Sequence, residues 1–314
     1  MKVIFMGTPD FAVGALQAII DAGHEVLLVV TQPDREKGRG KEVQFTPVKE
    51  CAMMAGIEVF QPLKIKTPEA VAKLKEYDAD IFVVAAFGQI LSQEILDMPK
   101  FGCVNIHASL LPKYRGAAPI QWSILDGEKE TGVTIMQMNA GLDTGDILLQ
   151  EKFEIAADET GASLFDRLAV LGAEAIVKAL PSIEAGSLTP VPQDDEASTY
   201  AGMLKKEMGQ IDWTWDADKI ERYVRGLNSW PSAYTYLNGK TLKIWGAEVV
   251  DISADELEGN PLAGTIYSVD KDSISVVTGD GLLKLNNIQL EGKKRMDVSA
   301  FLLGYKINVG DVLG

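Results

Sequence analysis

MKVIFMGTPDFAVGALQAIIDAGHEVLLVVT, residues 1–31, decides the fold. KVIFM and EVLLVVT are apolar runs without polar alternation, the pattern of strands buried on both faces. Between them Thr8 and Pro9 read as a polar cap with proline in the first helical turn, and the helix ends near Gly23. Strand, helix and strand in this order predict a parallel pair, which IEVF (57–60) and DIFVVAAF (80–87) extend into a sheet. His24, just past the helix, reads as an exposed or helix-terminal residue. MGTPDFAV stands where a dinucleotide fingerprint would lie, but only Gly7 fits it, so nicotinamide binding is disfavoured. A structural turn is the better reading there than an anion site at the helix N-terminus.

The next informative stretch is VNIHASLLPKYRGAAP, residues 104–119, which holds one of only two histidines. Asn105 and His107 are two apart, so on a strand both side chains point to one face. A neutral donor beside a group that exchanges protons near neutral pH suits acyl-type chemistry at a carbonyl. The competing reading is a buried strand histidine bonded to a backbone carbonyl. Pro119 opens a helix in APIQWSILDG, and strands TGVTIMQM and DILLQEKFEI follow, joined by NAGLDTGD (139–146). In that glycine-rich connection Asp143 is a candidate to orient or charge His107; Asp146 competes, and spacing does not choose between them. A helix from Ser163 to Leu180 closes the domain through Leu164, Leu168, Leu171 and Ile176.

Two segments read as polar loops. QPDREKGRGKE (32–42) places Arg35, Lys37, Arg39 and Lys41 among glycine and acid, which suits either a solvated loop or a phosphate-contacting arm. From 181 to about 204 the chain turns to proline, serine and acid, the composition of a linker. Beyond it, a helix over Ala217 to Leu227 and the runs SAYTYL, TLKIWGAEVV, AGTIYSV, SISVVT and LLKLNNIQL predict a small antiparallel barrel.

Composition narrows the function classes. At 314 residues, two domains of unequal size are expected, and 46% hydrophobic with 24% charged residues marks a soluble globular chain. No run of about 18 apolar residues exists to span a bilayer, and the first apolar run is too short for a signal peptide, so a cytoplasmic address is expected. Cys51 and Cys103 lie far apart outside any CxxC spacing, and with two histidines and no HExxH no metal site is expected. The net charge of −15 argues against indiscriminate nucleic-acid binding, though not against a local basic surface.

GTPDFA (7–12), TQPDREKGRGK (31–41), NIHASLLPKYRGAAPIQWSI (105–124), AGLDTGD (140–146), TGDGLLKLNNIQLEGKKRM (278–296) and FLLG (301–304) occur in order along the chain. With them the sequence closely resembles the methionyl-tRNA formyltransferase family of the folate-dependent formyltransferase superfamily. The resemblance implies an α/β N-terminal Rossmann-like domain with a mostly parallel sheet at 1–180, a linker at 181–204 and an OB-like β-barrel that binds tRNA at 205–314. It implies formyl transfer from 10-formyltetrahydrofolate, a co-substrate with no metal, to the α-amine of initiator methionyl-tRNA, by a chain expected to act as a monomer.

On this resemblance Asn105, His107 and Asp143 are the catalytic set. Ser109, Leu110, Leu111 and Pro112 are the folate-contact segment, AFGQIL (86–91) is part of the pterin pocket's wall, and Arg39 meets the acceptor end of the tRNA. The C-terminal part sits awkwardly with that role, since 205–314 holds 13 Lys plus Arg against 16 Asp plus Glu. A face of Lys240, Lys243, Lys293, Lys294 and Arg295 is the remaining basic candidate. A glycinamide- or amino-sugar-nucleotide formyltransferase is the alternative within the class, and a non-catalytic nucleic-acid-binding module the alternative outside it.

Overall fold

The computed structural model describes residues 1–37, 42–252, 256–259 and 261–314. The chain divides into two units by internal contacts. The first gathers Met1–Pro119, Glu130–Glu154 and Phe165–Ala201 around a seven-stranded sheet.

In chain order its strands are β1 (Lys2–Gly7), β2 (Glu25–Val30), the hairpin β3 (Arg35–Lys37) and β4 (Glu42–Gln44), β5 (Val59–Phe60), β6 (Ile81–Ala85), β7 (Cys103–His107), β8 (Arg115–Gly116), β9 (Glu130–Gln137) and β10 (Ile147–Glu154). The main sheet runs β10-β9-β7-β6-β1-β2-β5; it is parallel from β7 to β5 and turns antiparallel at β9 and β10. The apolar runs explain this directly. Val3, Ile4, Phe5 and Met6 are all fully buried, so helices cover both faces. α1 (Asp10–Asp21) contributes Phe11, Ala12, Ala15, Leu16 and Ile19, the helical spacing of one buried stripe. α2 (Pro47–Met54), α3 (Pro68–Lys75), α4 (Gln93–Leu96) and the long α6 (Gly161–Glu184) follow α1; α5 (Pro119–Leu125), before α6, falls past Pro119 in the second unit.

Three local expectations change. Thr8 does not cap α1, whose N-cap is Pro9 without a side-chain bond. Its hydroxyl instead donates to the Phe87 carbonyl (3.2 Å) and accepts from Gln32 N–H (3.3 Å), tying together the segments that leave β1, β2 and β6. Second, the helix expected to end at Leu180 continues through Pro181 to Glu184, because a proline this near a helix end removes one hydrogen bond while its own carbonyl still accepts from Ala185. Third, 191–201 does not trail free: Val191 exchanges two backbone bonds with Ile147, and β11 (Tyr200–Ala201) pairs in parallel with β8. His24 is half-buried, its Nδ1 3.3 Å from the N-terminal amine.

The second unit comprises Ile120–Lys129, Ile155–Leu164 and Gly202–Gly314. After α7 (Ala217–Gly226) come β12 (Ala233–Leu237), β13 (Lys240–Val250), β14 (Ile266–Val269), β15 (Ile274–Val277), β16 (Leu282–Leu290), β17 (Met296–Asp297) and α8 (Val298–Leu302). Its antiparallel sheet follows the order β12-β13-β16-β15-β14, with β17 beside β16. β12 alternates buried and half-buried residues, and its buried side joins Leu242, Ile244, Leu283, Leu285, Ile288 and Phe301 in one core. Among the described residues β12 and β14 do not pair, the partly open form of a small barrel.

Arg39 lies outside the described residues, between the two paired strands of the β3–β4 stem in sequence. The stem's base is anchored by a half-buried network: Lys49 on α2 pairs with Asp34 and donates to Gln61, whose amide donates to Asp34 and to the Gln32 carbonyl. Burial opposes the charged form of Asp34, but hydrogen bonds from Lys49 and Gln61 prevail and hold its carboxyl below the usual range. A depressed carboxylate adds stability above its unfolded pKa of about 3.9, and that stability is lost as pH falls through the folded value. Asp34→Asn is therefore expected to lower unfolding free energy by about 1 kcal/mol at neutral pH. In urea melts the gap from the parent closes on acidification below about pH 4; a gap independent of pH would show that the charge is not what anchors the stem.

Candidate active site

β7 ends at His107, between parallel β6 and antiparallel β9, where Asn105 faces Met136 and His107 faces Thr134. His107 is 5% exposed. Its Nε2 lies 2.9 Å from the Tyr114 carbonyl oxygen, and Nδ1 lies 3.8 Å from Asp143 Oδ2. A carbonyl only accepts, so Nε2 carries the hydrogen and the neutral ring keeps its lone pair on Nδ1, toward Asp143. Asn105 shares this strand face and is half-buried; among the described residues its side-chain amide has no hydrogen-bond partner, which leaves both its hydrogens for a ligand.

Asp143 reaches His107 from a loop that folds back. β9 runs against β7, so the chain leaves it beside Val104, at the far end of β7 from His107. The return needs a tight loop. Asn139 Oδ1 accepts from Gly141 N–H and the Thr144 hydroxyl, and Gly145 passes so near Gln137 that a Cβ would fall 1.6 Å from its carbonyl oxygen. Asp143 itself adopts φ 52°, a left-handed conformation that aspartate tolerates better than most residues. Its Oδ2 accepts from Gly116 N–H at 2.8 Å. The same loop brings Asp146 no described ion pair to His107.

The segment after His107 is held by its neighbours. Ser109 is fully buried, with its hydroxyl donating to the Lys113 carbonyl; Leu111 is buried, while Leu110 and Pro112 are half-exposed. Thr134 on β9 donates to the Ser109 carbonyl (2.7 Å) and accepts from Leu111 N–H (3.1 Å) and Gln150 (3.0 Å), so one buried hydroxyl fixes the turn. In AFGQIL, Phe87 and Leu91 are buried and Ile90 is 73% exposed, while Gln89 accepts from Ile65 N–H and donates to the Pro62 carbonyl.

Three residues joined to this site were not singled out by sequence reasoning. Gln193 donates both amide hydrogens to the carbonyls of Asp143 (2.8 Å) and Gly145 (2.7 Å). Arg115 donates to Gln193 (3.0 Å) and to Asp195 (2.8 Å). Thr199 accepts from Tyr114 N–H through its hydroxyl (2.8 Å) and from Arg115 N–H through its carbonyl (2.9 Å). Arg115 lay inside a quoted motif, but no local pattern marks Gln193 or Thr199, which lie in the stretch read as a linker.

The cysteines do not supply a thiolate. Burial pushes the Cys103 thiol up to about 12, with Asp97 adding to it, and burial raises Cys51 too. Among the described residues no group of three or more His, Cys, Asp or Glu is placed to hold a metal ion.

The basic candidates of the C-terminal part gather at one corner of its sheet. The ammonium of Lys243 lies 5.5 Å and the guanidinium of Arg295 5.0 Å from the Trp245 ring, whose N–H donates to Gln289. Lys240 begins β13, and Lys293 and Lys294 are exposed in the turn after β16, where Glu291 N–H bonds to the Thr241 carbonyl.

Residues 1–180 match the family model described as formyl transferase, and 203–306 match that of the formyl transferase C-terminal domain. The methionyl-tRNA formyltransferase of Agathobacter rectalis is 56% identical over 310 residues, covering 99% of this chain and 98% of that one. That of Lachnospira eligens is 52% identical over the full length of both. Among solved structures, an N-formyltransferase from Helicobacter canadensis in complex with folinic acid and dTDP-3-aminofucose shares the fold at TM-score 0.67 and 20% identity, over 91% of this chain and 99% of that one. Glycinamide ribonucleotide transformylase 1 from Symbiobacterium toebii shares it at TM-score 0.51 and 21% identity, over 62% of this chain and 94% of that one.

Thr134→Val keeps the side-chain shape and removes the hydroxyl that serves three partners, the buried Ser109 carbonyl, the buried Leu111 N–H and the Gln150 amide. It is expected to cost about 2 kcal/mol in urea unfolding, and an unchanged midpoint would show that the turn after His107 is held by something else.

Proposed function

The chain belongs to the formyl transferase family, and we infer from that membership and from the site that it transfers the formyl group of 10-formyltetrahydrofolate to the α-amine of methionyl-tRNA. Relatives of 46–56% identity along its whole length carry the name methionyl-tRNA formyltransferase. The observation that carries the chemistry is the Nε2 bond of His107 to the Tyr114 carbonyl, which turns the basic nitrogen toward Asp143.

The folate co-substrate supplies an activated formyl carbonyl. His107 Nδ1 accepts a proton from the methionyl amine as nitrogen bonds to the formyl carbon, and the Asp143 carboxylate stabilises the imidazolium that results. Asn105 directs its free N–H groups, together with the protonated Nδ1, at the oxyanion that develops. As the bond from carbon to the folate N10 breaks, His107 returns the proton to that nitrogen. Leu110 and Pro112, half-exposed beside His107, offer apolar surface for the folate, while buried Ser109 and Leu111 shape the turn that presents them.

We assign 1–180 to catalysis and 205–314 to tRNA backbone contact, with 181–204 between them. Arg39, between β3 and β4 in sequence, is assigned to the acceptor end. The initiator form of the tRNA is the acceptor in this reading, the Lys243–Trp245–Arg295 corner its C-terminal contact, and the cytoplasm, where charged tRNA is used, the place of reaction. Action as a monomer belongs to the same reading.

The direct test incubates charged initiator and elongator methionyl-tRNAs with 10-formyltetrahydrofolate and measures formylmethionine; the initiator form is expected to react much faster, and formylation of neither would refute the assignment. His107→Ala is expected to lower kcat roughly 10²- to 10⁴-fold and Asn105→Ala roughly 10²- to 10³-fold, both with native circular dichroism. Turnover near that of the parent in either variant would remove that residue from the mechanism. Arg39→Ala is expected to raise KM for tRNA and leave that for the folate unchanged, and to flatten the dependence on salt. An unaltered KM for tRNA would take the loop out of the account.

A further inference from the structure

We propose that Gln193, in the stretch whose composition reads as a linker, is a positioning residue that sets the Asp143 carboxylate against His107; this rests on the formyl-transfer reading above. Two loops build the site, and they start from opposite ends of β7: the 108–116 turn at His107, and the 139–146 loop beside Val104. Strand pairing alone does not join them. Residues 191–201 do, since this segment is bonded to both.

Among 191–197, Gln193 alone is not exposed, and both its amide hydrogens and its amide oxygen are bonded. Both hydrogens go to the carbonyls of Asp143 and Gly145, and the oxygen accepts from Arg115 Nε. Since the two carbonyls only accept and the guanidinium only donates, the amide has one permissible orientation. Val191, paired twice to Ile147, fixes the backbone two residues upstream, and Thr199 fixes it downstream through Tyr114 and Arg115. The circuit closes through Gly116, next to Arg115, whose N–H bonds to Asp143 Oδ2.

What this circuit controls is an angle. Asp143 has a left-handed backbone, so small rotations at φ swing the carboxylate away from a ring that it faces without a direct hydrogen bond. No other side chain among the described residues bonds to the Asp143 carbonyl. Pinning the carbonyls on both sides of Thr144 fixes the swing, and Arg115 holds the pin.

The test uses the full chain with both substrates, after the parent has been shown to formylate; an inactive parent would refute the functional reading and leave this one without an object. Gln193→Ala is expected to lower kcat roughly 30- to 100-fold while KM for folate and for tRNA stay within about twofold. Gln193→Glu keeps the shape and the bond from Arg115 but sets an acceptor against two carbonyls, and is expected to lose as much; it serves the comparison if the alanine variant does not fold. Because Gln193 acts through Asp143, adding Gln193→Ala to Asp143→Asn is expected to cost less than about threefold more. Losses that multiply, a loss confined to KM, or a kcat within about twofold of the parent in a folded single variant would each overturn the proposal.

Discussion

One backbone carbonyl, that of Tyr114, governs the chemistry this fold can offer. By accepting from His107 Nε2 it fixes the tautomer, and with it which nitrogen faces Asp143. Were that acceptor elsewhere, the neutral ring would put its hydrogen on Nδ1 against the carboxylate and turn its lone pair away from the acid. The carbonyl is itself held in place: Tyr114 is buried at φ 60°, and its N–H is bonded to the Thr199 hydroxyl. A structural histidine bonded to a backbone carbonyl and a proton-handling histidine were rival readings of the sequence. The geometry lets one residue serve both, because the bond that holds the ring also selects its basic atom.

How far the sequence could be read depends on the range of the interaction. Apolar runs such as KVIFM and EVLLVVT show in composition that both faces of a strand are covered, and the central strands follow. Asn105 and His107 share a face by strand period alone, so that half of the site was legible locally. The choice of Asp143 over Asp146 was not, since it turns on a loop folding back along a strand 36 residues earlier, and only the family resemblance pointed to it. Thr8 misled because a threonine before a helix so often caps it; here the hydroxyl serves Phe87, 79 residues away. Gln193 and Thr199 were hidden for the same reason. Their partners lie 50 and 85 residues back, and the surrounding proline, serine and acid obscured them.

Charge poses a separate constraint. The chain carries a net −15, and a polyanionic acceptor is repelled by that total at long range. Lys243 and Arg295, both placed against one indole, and the exposed Lys293 and Lys294 gather positive charge in a small area. At physiological salt the Debye length is about 8 Å, so a bound phosphate senses that corner, with Glu291 and Asp297 beside its bases, more than the acid elsewhere on the chain. Stacking on Trp245 also restricts the two long side chains before any ligand arrives, which lowers the entropy that binding would otherwise cost.

The antiparallel turn at β9 explains why the site needs a third segment. A parallel β9 would leave the sheet at the His107 end and deliver its loop straight to the ring, as crossover topologies do. Here the strand leaves at the Val104 end, and the acid must be carried back along the sheet on a loop with glycines at 141 and 145 and a left-handed residue at its tip. Such a loop has little core of its own to hold its shape. Its fixed points have to come from outside, and the chain finds them in the last stretch of the first unit, residues 191–201. The segment of least regular composition thus carries the bonds that fix the geometry of the most demanding loop, and a deletion that spares every core residue would still separate Asp143 from the ring it faces.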